Sequence, residues 1–335
     1  MKIKTSIVGV GGYTGLELVK MLLNHEVFKI SSIYGTEECE LDKIHTCLNC
    51  VYKKNIEIGD INKISQESEL VFLALPHTQG IEYVSKLYNS GVKIVDLSAD
   101  YRLSHNKYEK YYQTHSDKNN IDNAVYGLIE YNREKIKTTN LVANPGCYPT
   151  ATLLALLPFL PFLDLSHSIF IDAKSSVSGA GKKLAYNSHF VNINENIFAY
   201  SPISHRHSPE IEEQIFKITN KNVSIMFVPH LIPITRGMLI SIYARLKEDI
   251  DPIMLLKDSY KNEKFIRIRE NCVQVKNVAG THFCDIYATK EGSNIFINSC
   301  IDNLLRGASS QAIANANLMF NLKEDLALPK IAYAP

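Results

Sequence analysis

Cys147 sits in the run Asn144-Pro145-Gly146-Cys147-Tyr148-Pro149-Thr150, between an apolar segment ending at Ala143 and a helical pattern from Pro149 to Leu157. A thiol at a strand-to-helix junction has its thiolate stabilised by the helix dipole and by free backbone N–H groups. Such a thiolate attacks acyl carbons. A lone cysteine is more often buried and structural, but the flanking turn residues and the change of pattern at this point favour catalysis. A second candidate lies near the start, where Gly9-Val10-Gly11-Gly12-Tyr13-Thr14-Gly15 follows a strand-like run and opens a helix-like one. Glycines there let the backbone turn tightly and approach a pyrophosphate held on the helix N-terminus. The spacing departs from a strict GxGxxG, and a ligand-free turn is the alternative. The agreement of strand, helix and position favours a dinucleotide. The residues that would read its ribose fall at Ser32–Glu38, about 20 residues further on. No Lys or Arg stands there, and Glu37 and Glu38 would repel a 2′-phosphate, so these residues by themselves lean towards NAD.

The elements that must position these groups follow from hydrophobic periodicity. Strands are expected at Ile3–Val10, Val27–Ile33, Leu70–Leu75, Lys93–Leu97 and Leu141–Ala143, with helices at Gly15–Asn24 and Gly80–Asn89. Continuous apolar strands alternating with helices indicate a parallel sheet covered on both faces. Past Cys147 the pattern changes to longer strand-like runs at Ser168–Ala173, Val223–Val228, Met238–Leu246, Val273–Val275, Phe283–Thr289 and Asn294–Cys300, with few helices between. Asp251-Pro252 opens one helix as N-cap and first turn, and a last helix is expected over Asp302–Asn321. The expected fold class is therefore an α/β Rossmann-type dinucleotide-binding domain, residues 1–146, followed by an α+β domain with a largely antiparallel sheet, residues 147–301. Residues 302–335 are expected to return to the first domain.

Composition narrows the function. Of 335 residues, 36 Lys and Arg nearly balance 35 Asp and Glu, so nothing pulls the chain as a whole towards nucleic acid or an acidic membrane surface. The most apolar stretch, Ala151–Leu163, is interrupted by Pro158 and Pro161 and is shorter than the ~20 residues a bilayer needs. Glycines interrupt the N-terminal apolar run too early for a signal peptide, and seven cysteines, an odd number, fit reduced thiols in a cytoplasm. Cys39, His45, Cys47 and Cys50 include one CxxC spacing without a second pair, and no metal is expected there.

Taken together, the motifs resemble those of the N-acetyl-gamma-glutamyl-phosphate reductases, the arginine-pathway members of the aldehyde/semialdehyde dehydrogenase group. The resemblance covers nearly the whole chain. It rests on Gly12-Tyr-Thr-Gly15, Leu73-Ala-Leu-Pro-His77, Leu97-Ser-Ala-Asp-Tyr-Arg102-Leu, Tyr126-Gly-Leu and Pro145-Gly-Cys147-Tyr-Pro-Thr150. It continues through Ser178-Gly-Ala-Gly181-Lys182, His205-Arg-His207-Ser-Pro-Glu210-Ile, Pro233-Ile-Thr-Arg236-Gly-Met and Ile301-Asp-Asn303-Leu-Leu-Arg-Gly307-Ala.

The resemblance implies a glyceraldehyde-3-phosphate-dehydrogenase-like fold and NADPH-dependent reduction of N-acetyl-L-glutamyl 5-phosphate to the semialdehyde through a Cys147 thioester. His205 would be the acid/base, consistent with an imidazole's near-neutral titration. His207 would hold substrate, and His230 would be structural. Gly9, Gly11, Gly12, Tyr13, Thr14, Gly15, Thr36, Pro76, Ser178, Gly179, Gly181 and Asn303 would hold the cofactor. Arg102, Lys182, Arg206, His207 and Arg236 would surround the substrate's phosphate and carboxylate, which Arg grips bidentately. The family's Ser-Arg pair for the 2′-phosphate is replaced by Gly35-Thr36, so NAD is a possible second cofactor, and Lys182 stands where Arg is common. A homodimer or homotetramer is implied. The competing readings are a dehydrogenase of another aminoacyl phosphate, such as aspartyl phosphate, and a catalytically silent dinucleotide sensor.

Overall fold

A computed structural model describes residues 2–333, and these fall into two compact units. The first runs to Gly146 and resumes over Ala308–Pro329; the second covers Cys147–Gly307 and takes up the chain again from Lys330.

In the first unit the apolar runs become parallel strands. The sheet order is Cys39–Glu40, Asn55–Ile58, Phe28–Gly35, Ile3–Val8, Leu70–Leu73, Lys93–Asp96, Leu141–Ala143, Val125–Tyr126, and only the first pair is antiparallel. The order reverses at Ile3–Val8, whose neighbours are the next strand in the chain on one side and a later one on the other. In open α/β sheets such a reversal leaves a crevice at the carboxyl ends of the strands, and the glycine turn sits at that end of Ile3–Val8. The helix Ser310–Met319, buried along its whole length, packs against Tyr13–Leu23 and Ile129–Thr138. It is wired in by side chains: Asn315 Nδ2 donates to the Gly127 carbonyl, and Asn317 Oδ1 lies 2.9 Å from His25 Nε2.

In the second unit the strands alternate, one face covered and one open. The sheet order is Phe198–Ala199, Ile225–Ile232, Ile169–Ser176, Met238–Arg245, Asn294–Ile301, Cys284–Glu291, Ile266–Ile268, with four antiparallel and two parallel pairings. The helix Cys147–Leu156 packs on Met238–Arg245 and Asn294–Ile301 and beside the helix Ser208–Thr219. Every residue of Cys147–Leu156 after the cysteine is buried. Its lack of a polar stripe marks it as interior. Asp251 caps the next helix, Pro252–Ser259, by accepting from the N–H groups of Ile253 and Met254.

Several expectations need correction. Residues 273–275 form no strand: Val275–Asn277 is a short 3₁₀ turn, with Val273 and Val278 packed on Cys300. The helix Ser208–Thr219 and the strand Ile266–Ile268 stand where neither was expected. The second boundary falls after Gly307 and not after 301, and the chain from Lys330 belongs to the second unit. Asp302 and Asn303 hydrogen-bond to the second sheet's connections, which keeps 302–307 with that unit. Asp302 Oδ1 also accepts from the N–H groups of Leu304 and Leu305, so the expected helix over Asp302–Asn321 begins as a wide turn at Leu305–Ser309 and becomes regular only over Ser310–Met319.

Candidate active site

The glycine turn is built from backbone. Gly9 has φ +89°, and a Cβ there would come within 2.3 Å of the Ala74 carbonyl oxygen. A Cβ on Gly15 would lie 2.6 Å from the Gly9 oxygen. Neither position admits a side chain: at Gly9 the chain leaving Leu70–Leu73 comes too close, and at Gly15 strand and helix do. Gly11 differs: a Cβ there would meet nothing within 4 Å, so its face of the turn is open. Gly12 is the N-cap of Tyr13–Leu23, without a side-chain cap and with no acidic residue in the first turn. Free N–H groups beneath an open glycine face fit a pyrophosphate, and the turn therefore fits a dinucleotide.

The neighbouring turn at Pro76–Gly80 is held by a buried carboxylate. Asp100 accepts from the N–H groups of Thr78 at 2.7 Å and Gly80 at 3.1 Å, and from the Tyr108 hydroxyl at 2.8 Å. Thr78 is held at φ +75°. Burial, and next the charge of Asp100, pushes the Asp96 carboxyl up to about 7. At the ribose end Thr36, Glu37 and Glu38 are exposed. Lys43 and Lys53 both turn to Glu40, at 3.4 and 2.8 Å. His45 is buried, with Nε2 3.0 Å from the Val10 carbonyl in the glycine turn. Among the described residues no group of three or more His, Cys, Asp or Glu is placed to hold a metal. All seven cysteines are free thiols.

The cysteine and histidine cluster is built from side chains. Cys147 is the first residue of its helix, where N–H groups point outward and favour negative charge. Gly307 lies against it: a Cβ there would approach the Cys147 Cβ to 2.6 Å. Tyr148 packs edge-on against His205 at 5.7 Å and His207 at 5.8 Å between ring centroids, and its hydroxyl lies 2.8 Å from that of Tyr200. Burial pushes both phenols up, Tyr200 to about 12, and the neighbouring Cys147 contributes to the shift in both. His205 Nδ1 accepts the His207 backbone N–H at 3.2 Å. The neutral ring therefore carries its proton on Nε2. Burial, and next Arg206, lowers the His205 pKa to about 4, so this neutral donor form prevails at neutral pH.

The expected cations divide. Arg102 is 5% exposed and lies in the first unit, with Nε on the Asn144 carbonyl and Nη2 on the Leu97 carbonyl, both at 2.7 Å. Two of its guanidinium nitrogens thus bond backbone oxygens at the strand ends, one of them in the run leading to Cys147. Arg236 forms a bidentate pair with the fully buried Asp302, at 2.9 and 3.2 Å. Lys182 and Arg206 are exposed, as are Gly179 and Gly181. The Asn303 amide fixes a turn: Oδ1 accepts from Ser176 Oγ and the Gly237 N–H, and Nδ2 donates to Ser178 Oγ. His230 lies on the second sheet, 3.2 Å from Asp172. Tyr148, Tyr200, Asp302 and Gly307 were not singled out as site residues. Tyr148, Asp302 and Gly307 lie inside quoted motifs, and Gly307 is also a lone glycine inside a helical pattern, whereas Tyr200 carried no signal.

The chain belongs to the semialdehyde dehydrogenases: the family described as "Semialdehyde dehydrogenase, NAD binding domain" matches residues 4–139, and "Semialdehyde dehydrogenase, dimerisation domain" matches 147–303. It is an oxidoreductase with a nicotinamide dinucleotide site. Within that class its family is N-acetyl-gamma-glutamyl-phosphate reductase. A protein of that name from Campylobacter curvus is 57% identical over 98% of both chains, and one from Sulfurovum is 54% identical over 99% of this chain and 100% of its own. Among solved structures, aspartate semialdehyde dehydrogenase II from Vibrio cholerae matches at TM-score 0.72 and 15% identity, covering 96% of this chain and 99% of that one, which shows the fold. No helix among the described residues is long and apolar enough to cross a membrane.

Proposed function

We propose that the chain reduces N-acetyl-L-glutamyl 5-phosphate to N-acetyl-L-glutamate 5-semialdehyde, with NADPH as donor and phosphate as leaving group. The observation that carries this is a helix-opening Cys147 beside a desolvated cluster of His205, Tyr148 and Tyr200, in a chain of this family. Cys147 attacks the acyl carbon, the carbon–phosphate oxygen bond breaks, and a thioester remains on the sulfur. The bound nicotinamide supplies the hydride. His205, neutral and with its proton on Nε2, donates a hydrogen bond to the oxygen as charge develops on it and keeps that proton; as the carbon–oxygen double bond re-forms, the carbon–sulfur bond breaks and the sulfur leaves as thiolate. A buried donor already carrying its proton stabilises that charge without reorganisation. Lys182 and Arg206, exposed and cationic, suit the phosphate and carboxylate of the substrate. Pro76, Ser178, Gly179, Gly181 and the glycine turn suit the cofactor. A reduced cytoplasmic setting fits seven free thiols.

The chain also acts as a homodimer or homotetramer in this reading. The dimerisation match supports it, and so does the open sheet face that leaves Phe170 and Tyr243 about half exposed.

For the cofactor, NADPH is used with weak discrimination against NADH. The cations nearest the ribose end in sequence, Lys43 and Lys53, are paired with Glu40, while Glu37 and Glu38 oppose a 2′-phosphate. A charged hydrogen bond is worth about 1.5–3 kcal/mol, a ten- to hundredfold preference. The test is a reverse assay with N-acetylglutamate semialdehyde and phosphate, with aspartate semialdehyde as competitor substrate and NADP compared with NAD. Turnover of the acetylated substrate with an NADP preference below a thousandfold is expected. Faster turnover of aspartate semialdehyde overturns the substrate, and a clear preference for NAD overturns the cofactor.

A further inference from the structure

Ile3–Val8 lies between Phe28–Gly35 and Leu70–Leu73, and the crevice opened by the reversal of strand order has two walls. One is the glycine turn. The other is the stretch 74–80, which leaves Leu70–Leu73 and enters the helix Gly80–Leu87. The two walls touch: it is the Ala74 carbonyl oxygen that a Cβ on Gly9 would strike at 2.3 Å. Pro76, expected at the cofactor, is exposed on this second wall.

The second wall is not relaxed. Thr78 has φ +75°. For a β-branched residue this left-handed conformation is a true outlier, because its Cβ crowds the backbone, and it persists only where the surroundings impose it. Those surroundings are one short segment, 96–100, at the end of the neighbouring strand Lys93–Asp96. Asp100 Oδ1 accepts the Thr78 N–H and its Oδ2 accepts the Gly80 N–H, so one carboxylate spans the turn. The Ala99 N–H donates to His77 Nδ1 at 2.9 Å. The helix Gly80–Leu87 receives no side-chain cap from Gln79, and Asp100 supplies from another element the acceptor that its first N–H needs. The fit is close: a Cβ on Gly80 would come within 3.1 Å of Asp100 Oδ2 and 3.2 Å of Asp96 Oδ1. Asp100 is itself fully buried and held, its Oδ1 by the Tyr108 hydroxyl and its N–H by Ser98 Oγ at 3.1 Å.

A buried carboxylate is costly to desolvate, and an ordinary turn could join strand to helix without one. What the arrangement adds is a fixed course for the backbone from Pro76 to Thr78 at the edge of the crevice. We propose that Asp100 is a positioning residue for the dinucleotide: by holding Thr78 in the left-handed conformation, it keeps Pro76–Thr78 as a preformed wall of the cofactor crevice. The proposal rests on the proposed function only for NADPH as the probe, and its main test needs no turnover.

NADPH binding to the full chain is to be measured by nucleotide fluorescence well below Tm, with NADH titrated in parallel. In Asp100→Asn one acceptor oxygen becomes an amide that cannot accept, one turn N–H loses its partner, and affinity is expected to fall about tenfold or more. Adding Thr78→Gly, for which the left-handed conformation carries no Cβ penalty, is expected to recover about threefold or more of that loss. In steady state the KM for NADPH should rise in Asp100→Asn while the KM for the acyl phosphate holds. Tyr108→Phe leaves the carboxylate in place with one donor fewer; it is the milder variant should Asp100→Asn not fold, with a loss of about two- to fivefold expected. Wild-type affinity in folded Asp100→Asn, or in Tyr108→Phe where the former does not fold, would overturn the proposal. So would a loss that Thr78→Gly does not relieve, or equal rises in both KM values, which mark a merely structural carboxylate. A wild-type chain that binds NADH and not NADPH would fault the proposed cofactor, and the variants are then ranked with NADH. A chain that binds NADPH without reducing the acyl phosphate would fault the proposed reaction and leave the binding comparison intact.

Discussion

The glycine turn and the Cys147 cluster solve different problems with different materials. The turn is made of backbone packed so closely that Gly9 and Gly15 have no room for a Cβ, and its chemistry is the N–H groups it leaves unused. The cluster is made of side chains from distant parts of the sequence, Cys147 and Tyr148 from one helix, Tyr200 and His205 from a loop, Gly307 from a turn, and its chemistry is the desolvation they impose on one another. A backbone site announces itself through residue type at fixed spacing. A side-chain site announces only the residues whose chemistry is unusual, and its supporting shell stays silent.

If the two regions are separable, damage to one leaves the other measurable. Cys147→Ser is expected to lower turnover by at least three orders of magnitude while cofactor binding, read by fluorescence titration, stays near wild type; near-normal turnover of the serine variant would remove Cys147 from its role. His205→Asn is expected to cost about 10²- to 10³-fold in kcat, the usual range for disturbing a hydrogen-bond donor aimed at a developing oxyanion. His207→Asn should cost less, and the reverse ranking in steady-state kinetics would move the role to His207. In the glycine turn, Gly9→Ala and Gly11→Ala should separate fold from binding. The first forces a Cβ against the Ala74 carbonyl and should lower Tm, while the second enters open space, leaves Tm within about a degree and weakens cofactor binding ten- to a hundredfold. Equal effects of the two on Tm would contradict the described geometry.

Smaller effects sharpen the description of the cluster. Tyr200→Phe removes one hydroxyl of the pair with Tyr148 and leaves a buried phenol with one partner fewer, which costs about 1–3 kcal/mol in stability. Calorimetry of Tyr200→Phe beside Tyr148→Phe/Tyr200→Phe should show the double variant less damaged than the sum of the singles. The least conspicuous effect is acid sensitivity. His205 and the fully buried His282, which faces Arg306, both have pKa values lowered by burial. A base whose folded pKa is depressed gives stability that is complete above its unfolded value near 6.5 and is lost as pH falls below it. Tm should therefore decline as pH is taken from about 6.5 towards 4, and more gently in His205→Asn. An identical decline in that variant would remove His205 from the account.

Much of the fold was legible because apolar periodicity reports burial directly. The parallel strands, the Cys147 helix and the Asp251 cap follow from local pattern. What escaped depends on tertiary partners. The helix Ser208–Thr219 begins inside the His-Arg-His-Ser-Pro-Glu run, where interest in the histidines obscured that Pro209 opens a helix. Val273–Val275 has strand composition, but its N-terminal residue donates to Asn298 Oδ1 and the chain then turns. Arg102 illustrates the limit for site residues. Sequence identifies a cation in a family motif but not which groups hold it, and the bonds to the Asn144 and Leu97 carbonyls appear only in the fold. Tyr200 gave no signal, since one of 18 tyrosines is unremarkable until its hydroxyl is found against another.

The helix Ser310–Met319 has a consequence for the order of events at the ribosome. It is the piece that closes the first unit, yet it is synthesised after the whole of Cys147–Gly307. At about 5–20 residues per second, that interruption lasts on the order of ten to thirty seconds. During it, the nascent first unit lacks Asn315 and Asn317 and exposes the apolar flanks of Tyr13–Leu23 and Ile129–Thr138. The second unit, contiguous but for its last residues, is free to form first. The break in the first unit thus sets a timetable in which the Cys147 cluster forms before the first unit is closed, and the N-terminal part of the chain waits longest for protection from proteases and chaperones.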